Sequence, residues 1–210
     1  MIQWDTVSAL ATGAGTLVLA VATFASVRSA NRAARAAERS LLAGLRPLLV
    51  PSRLDDIEQK VFFMGGKYLK VPGGLAIAQD QDGDLLMVAS LRNAGAGLAV
   101  LHGWRFYPRD MRSDDRPGPD DFTNQTRDLY VPPGDVGFWQ GAFRDAGSAD
   151  YEAAHEAIKG ADAVTIDLLY GDHEGGQRVI TRFVLRPGRT EGVFISSATH
   201  HWNVDRPDPR

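Results

Sequence analysis

A chain of 210 residues with a formal net charge of −3 and no cysteine has room for one domain and appendages. The weak net charge speaks against a nucleic-acid partner, and the missing cysteine excludes disulfides, thiolate metal sites and cysteine nucleophiles. Charge is nevertheless segregated: residues 28–46 hold five Arg and one Glu, directly after a long uncharged run, while the rest is mildly acidic.

Residues 1–27 are expected to be an N-terminal transmembrane helix. Thr6–Val27 (TVSALATGAGTLVLAVATFASV) has 22 uncharged residues, and a helix of that length spans about 33 Å against a hydrocarbon core of about 30 Å. Its Val, Leu and Phe side chains each favour insertion by about 0.3–0.6 kcal/mol, so insertion is favourable by only about a few kcal/mol in all. Two alternatives stand beside this reading. One is a buried core helix. The other is a cleaved signal peptide, since Ala20-Val21-Ala22 resembles a cleavage site; residues 1–5, however, lack the basic side chains of such a peptide. Within the span Ser8, Thr12, Thr16 and Ala20 recur every four residues, beside Ala11 and Gly15. A small-residue stripe of Ser8, Ala11, Thr12, Gly15 and Thr16 suits close helix–helix contact and homo-oligomerisation, or simply reflects a composition rich in small residues.

Residues 28–46 are expected to form a basic juxtamembrane helix. At about 100° per residue Arg28, Arg32, Arg35 and Arg39 share one narrow wedge, with Ala30, Ala33, Ala34, Ala37 and Leu41 opposite. No basic side chain precedes the span and five Arg follow it, which places the N-terminus outside and everything after the span in the cytoplasm of a bacterial inner membrane. Trp4 then falls at the outer interface. The Arg wedge either meets anionic membrane lipid, stands as a stalk against a second helix, or does no more than fix topology.

From Pro47 the pattern changes to short apolar runs between turn residues, which predicts a β-rich domain over 47–204 and a disordered tail over 205–210. Expected strands are 48–50, 61–64, 68–71, 85–92, 98–107, 128–131, 136–143, 163–170, 177–185 and 193–196, with clear alternation in Val164, Ile166, Leu168 and in Val179, Thr181, Phe183, Leu185. Asp172–Gly176 reads as a hairpin turn, and the glycines of Asn93–Gly97 suggest positive φ. One helix is inserted, capped by Ser148 and ended by Gly160. Asp110–Asp121 reads as a mobile polar loop.

Three stretches carry a resemblance. Leu91–Ala99 looks like a strand–Asn-x-Gly–strand turn, Val131–Asp135 like a Pro-Pro-Gly-acid turn, and Tyr170-Gly171-Asp172 with Gly175-Gly176 like a Tyr-x-Asp…Gly hairpin, all found in bacterial immunoglobulin-like sandwiches. With the Arg-rich helix before Arg46-Pro47, the chain resembles a loose group of bacterial proteins with one span and a cytosolic sandwich. The inserted helix departs from the minimal pattern. The resemblance implies an antiparallel immunoglobulin-like β-sandwich and carries over no catalytic residue.

No motif commits the chain to chemistry. His102, His155, His173, His200 and His201 stand at no metal-ligand spacing, and adjacent His200 and His201 point to opposite faces of a strand. Asp172-His173-Glu174 falls in a turn, where charge is ordinary. No nucleophile elbow, zinc-protease helix or phosphate loop occurs, so the expectation is a non-enzyme without cofactor or metal. Trp104 and Phe106 read as core, on one face with Leu98, Val100 and His102. Trp139 and Trp202 read as candidates for an exposed binding surface. The expected function is a membrane-tethered cytosolic protein-interaction module with an unknown protein partner. The alternatives are an extracytoplasmic ligand-binding sandwich, an enzyme whose site is assembled from distant residues, and a structural subunit of a membrane complex.

Overall fold

A computed structural model describes residues 4–208, and it opens on one uninterrupted helix, α1 (Trp4–Gly44). The helix passes through the expected boundary at 27/28 without a break, because Ala, Arg, Glu and Leu after the apolar run are strong helix formers. It ends at Gly44, ahead of Pro47. α1 is long and apolar enough to cross a membrane. Residues 1–44 and 45–210 are separate compact units.

The second unit is mainly β and antiparallel. Its strands are β1 (Leu49–Pro51), β2 (Gln59–Phe62), β3 (Tyr68–Val71), β4 (Leu75–Gln81), β5 (Asp84–Asn93), β6 (Ala99–Tyr107), β7 (Thr123–Val131), β8 (Val136–Phe143), β9 (Val164–Gly171), β10 (Val179–Pro187) and β11 (Val193–Asn203), with helix α2 (Ala149–Lys159) between β8 and β9. Nine of them form one sheet in the order β1-β5-β4-β11-β10-β9-β6-β7, with β8 on the other edge of β5. β5 is long enough to pair with β8 on one side and with both β4 and β1 on the other. The sheet curls around one core that includes Met87, Leu91, Trp104, Trp139, Ile166 and Phe183. β2 and β3 form a separate hairpin. Its Val61, Phe63, Leu69 and Val71 pack on Leu86 and Val88, the outward side chains of β5, so β5 is buried on both faces.

The close approaches near β5 explain the local sequence. Asn93 is fully buried, accepts from the N–H groups of Leu48 and Gly95, and donates to the carbonyls of Gly97 and Val131. All of its hydrogen-bonding capacity is used there. Gly95 and Gly97 do not have positive φ, contrary to expectation. They are needed for contact: a Cβ on Gly97 would lie 1.7 Å from the Leu45 carbonyl oxygen. Gly134 and Gly175 do take positive φ, in the turns expected at 131–135 and 172–176.

Three expectations need correction. In β6 a bulge between Leu101 and Gly103 reverses the alternation, so Ala99 and Leu101, rather than Leu98 and Val100, share the core with Trp104. The segment 108–122 is pinned rather than mobile. Thr165 Oγ1 receives the Met111 N–H and donates to the Arg109 carbonyl, and Arg182 Nη1 donates to the Ser113 carbonyl at 2.6 Å. Under this segment Arg182 and Asp167 form a buried two-point pair, both bonds 2.8 Å, with Trp202 against the guanidinium. In the tail, Asp205 is held by Arg178 and Asp208 accepts from the Asn203 N–H, so 205–208 is docked; 209–210 lie outside the described residues. Arg178 keeps the Asp205 carboxyl below the usual carboxylate range.

Candidate functional site

β4 is absent from the strands expected from sequence, and it builds one wall of a recess against α2. Asp82 and Gly83, both at positive φ, turn β4 into β5 as a two-residue hairpin. Gln81 and Asp84 flank that turn, so Gln81, Gln79 and Ile77 exchange backbone hydrogen bonds with β5. The backbone of Ala76, Ala78 and Asp80 therefore faces the opposite edge. β11 occupies this edge as far as the bond from the Ala78 N–H to the Gly192 carbonyl, 2.8 Å. Beyond it the chain turns away, and among the described residues no strand pairs with Asp80 on the β11 side. The gap is a groove of about 600 Å³, lined by Gln79 and Asp80 on β4, His155, Ile158 and Lys159 on α2, and Glu191 on the β10–β11 turn.

Helix geometry aims α2 into this groove. Ser148 caps its N-terminus by accepting the Tyr151 N–H. Tyr151, His155 and Lys159 follow at intervals of four and share one face, while Ala154 and Ala157 are buried against the sheet. Tyr151 Oη donates to Asp80 Oδ2 at 2.7 Å, and His155 Nε2 stands 3.8 Å from the same oxygen. The rings of Tyr151 and His155 stack, 5.6 Å apart and 8° from parallel. The hydrogen bond from Tyr151 holds the Asp80 carboxyl below its ordinary range and pushes the phenol up. The groove thus offers the Asp80 backbone, the Asp80 carboxylate held in its ionised form, and the side chains of Lys159 and Glu191 in its lining.

No family model, no curated protein and no solved structure matches this chain. The site therefore rests on its own geometry.

Of the histidines singled out from sequence, His155 lines this groove. Arg28, Arg32, Arg35 and Arg39 are exposed on α1. On the same helix the Thr12 and Thr16 hydroxyls donate back to the carbonyls four residues earlier, at 2.9 Å, which leaves Ser8, Thr12, Gly15 and Thr16 along one stretch with those hydroxyls satisfied internally. The side chains of Trp4 and Ala11 lie outside the described residues. Trp139 is fully buried and Trp202 nearly so, which overturns their reading as an exposed binding surface. His200 stacks on Trp202 and His201 meets the Thr181 hydroxyl on another side, so the two do not converge. Asp172 is buried and accepts from the Gly176 N–H and Gln177, leaving His173 and Glu174 together on the turn surface. Among the described residues no three His, Asp or Glu side chains gather as metal ligands. Asp80, Tyr151 and Lys159 went unrecognised; the Asp-Gly pair at 82–83 was the available signal.

Proposed function

We propose that this chain is a bacterial single-pass inner-membrane protein, N-terminus outside, whose cytoplasmic domain receives an extended segment of a partner protein on the free edge of β4. It would serve as a scaffold, sensor or accessory module. The nearest description of its curled sheet is an immunoglobulin-like sandwich with an inserted helix. The observation that carries the interaction reading is the Asp80 backbone, which no described strand meets on the β11 side, beside a groove of about 600 Å³. Strand addition uses such an edge for affinity and the neighbouring side chains for selection. Exposed Leu17, Val18, Leu19, Val21 and Phe24 support the anchor, because a continuous apolar surface of this kind is unfavourable in water. The flanking Arg residues support the orientation and contact with anionic lipid, and the Ser8–Thr16 stripe is the place for self-association within the bilayer. Tethering raises the effective concentration for any partner at the same membrane.

The test is a photocrosslinker at Gln79 of the full chain in its native membrane. Proline is tolerated at an edge position whose N–H faces outward, yet it removes that donor. The expected adduct is lost in Asp80→Pro and kept in Asp80→Ala, which retains the backbone donor. An adduct indifferent to Asp80→Pro would rule out strand addition.

A further inference from the structure

The β2–β3 hairpin carries a second exposed face that the groove does not use. Its inward residues pack on β5, and alternation turns Lys60, Phe62 and Met64 of one arm and Tyr68 and Lys70 of the other outward. Register sets Lys60 opposite Lys70 and Phe62 opposite Tyr68. Phe62, Met64 and Tyr68 are 52%, 64% and 45% exposed, although each is large and apolar or aromatic. The tip, Gly65-Gly66, has positive φ at both residues and nothing within reach of an added Cβ.

From base to tip the ribbon thus runs from a lysine pair to an aromatic pair to methionine. Residues 59–71 hold three of the four lysines in the chain and no Asp or Glu. Lys60 Nζ lies over both aromatic rings, 4.9 Å from Phe62 and 3.9 Å from Tyr68. Lys70 reaches Glu58 at 3.5 Å with both side chains largely solvated, and Lys67 is engaged by Asp84 at 3.0 Å. Cationic heads beside exposed aromatic and thioether groups match the boundary between phosphate headgroups and acyl chains, where aromatic rings settle and basic side chains meet anionic lipid.

We infer that the outer face of the β2–β3 hairpin docks on an anionic phospholipid surface, with Met64, Phe62 and Tyr68 in the interface and Lys60 and Lys70 at the phosphates. The inference rests on the membrane-tether reading for its reach and is independent of the β4 groove.

The absence of cysteine in the chain permits a clean test. The full chain carrying Met64→Cys with a polarity-sensitive fluorophore is assembled in lipid nanodiscs of pure phosphatidylcholine or with about one third phosphatidylglycerol. In the anionic discs, aqueous iodide quenching is expected to fall several-fold, brominated acyl chains to quench the probe, and high salt to reverse both effects. Lys60→Gln with Lys70→Gln is expected to abolish the difference with the circular-dichroism spectrum unchanged, and a probe at Tyr68→Cys is expected to agree. Equal iodide access in both disc types overturns the inference, as does protection that follows protein concentration instead of lipid charge, which would mark a protein contact. A chain that fails to assemble even in neutral discs instead defeats the tether reading, so the two failures are distinguishable.

Discussion

Tyr151 on α2 and Asp80 on β4, 71 residues apart, are joined by a 2.7 Å hydrogen bond that fixes the helix across the end of the groove. The bond sets a pH window. The folded-state pKa of Asp80 is depressed, so its contribution to stability is present above the unfolded value of about 4 and is lost as pH falls through the folded value. The folded-state pKa of Tyr151 is raised, so its contribution is present below about 10 and is lost as pH rises through its folded value. Urea midpoints of the wild type and Tyr151→Phe are expected to differ at neutral pH and to converge in acid. A difference that persists unchanged at the lowest pH contradicts this assignment.

The buried Arg182–Asp167 pair makes a sharper prediction. Asp167→Ala leaves a guanidinium with almost no exposed surface and no counter-charge. Removing one partner of such a pair costs about 3–5 kcal/mol. Because Arg182 also holds the Ser113 carbonyl, limited proteolysis within 108–122 is expected to accelerate in the same variant. The double substitution Asp167→Leu with Arg182→Met is expected to recover much of the global stability in urea titrations, since no uncompensated charge remains.

At Asn93 the expected loss is also large. Asn93→Ala strips partners from four buried or half-buried backbone groups, and each unsatisfied group costs about 1–3 kcal/mol where water cannot replace the bond. Asn93→Asp keeps the acceptors but sets a buried carboxylate against the Gly97 and Val131 carbonyls, so its denaturant midpoint at neutral pH is expected to fall at least as far as that of Ala. Gly97→Ala is expected to be damaging for a different reason: its Cβ meets backbone, which has nowhere to go.

Much of the fold was legible in residue pattern. β3 and β8 carry the expected bounds, and α2 begins and ends at its Ser148 and Gly160 signals. β4 was hidden because LAIAQDQ is rich in Ala, Gln and Asp, residues without strong strand preference, and it forms because β5 and β11 flank it. The extent of β7 and β11 was underestimated for a similar reason: residues 123–127 are polar and residues 197–201 mostly so, and tertiary pairing recruits them. The groove was beyond reach from sequence, since its two walls come from β4 and α2, and nothing local signals that Asp80 and Tyr151 meet. The pinning of 108–122 was equally hidden, because a Pro-, Gly- and Asp-rich loop reads the same whether free or docked on a buried Arg.

The proposed orientation rests on charge and is open to direct manipulation. Replacing Arg28, Arg32, Arg35 and Arg39 by Gln and adding lysines before Trp4 is expected to invert the chain, carrying the domain to the outer side. Topology reporters fused to the C-terminus read the outcome, and a reporter that stays cytoplasmic shows that the arginines do not set the orientation.

The proposed anchor and its proposed sidedness meet in one measurement on the cysteine-free chain. Glu174→Cys, on the exposed β9–β10 turn, is treated with a membrane-impermeant maleimide in intact spheroplasts and after lysis, and the chain is followed through an alkaline wash. The expected result is a chain that stays with the membrane and reacts only after lysis. Labelling of intact spheroplasts, or recovery of the chain in the soluble fraction without detergent, would contradict the account.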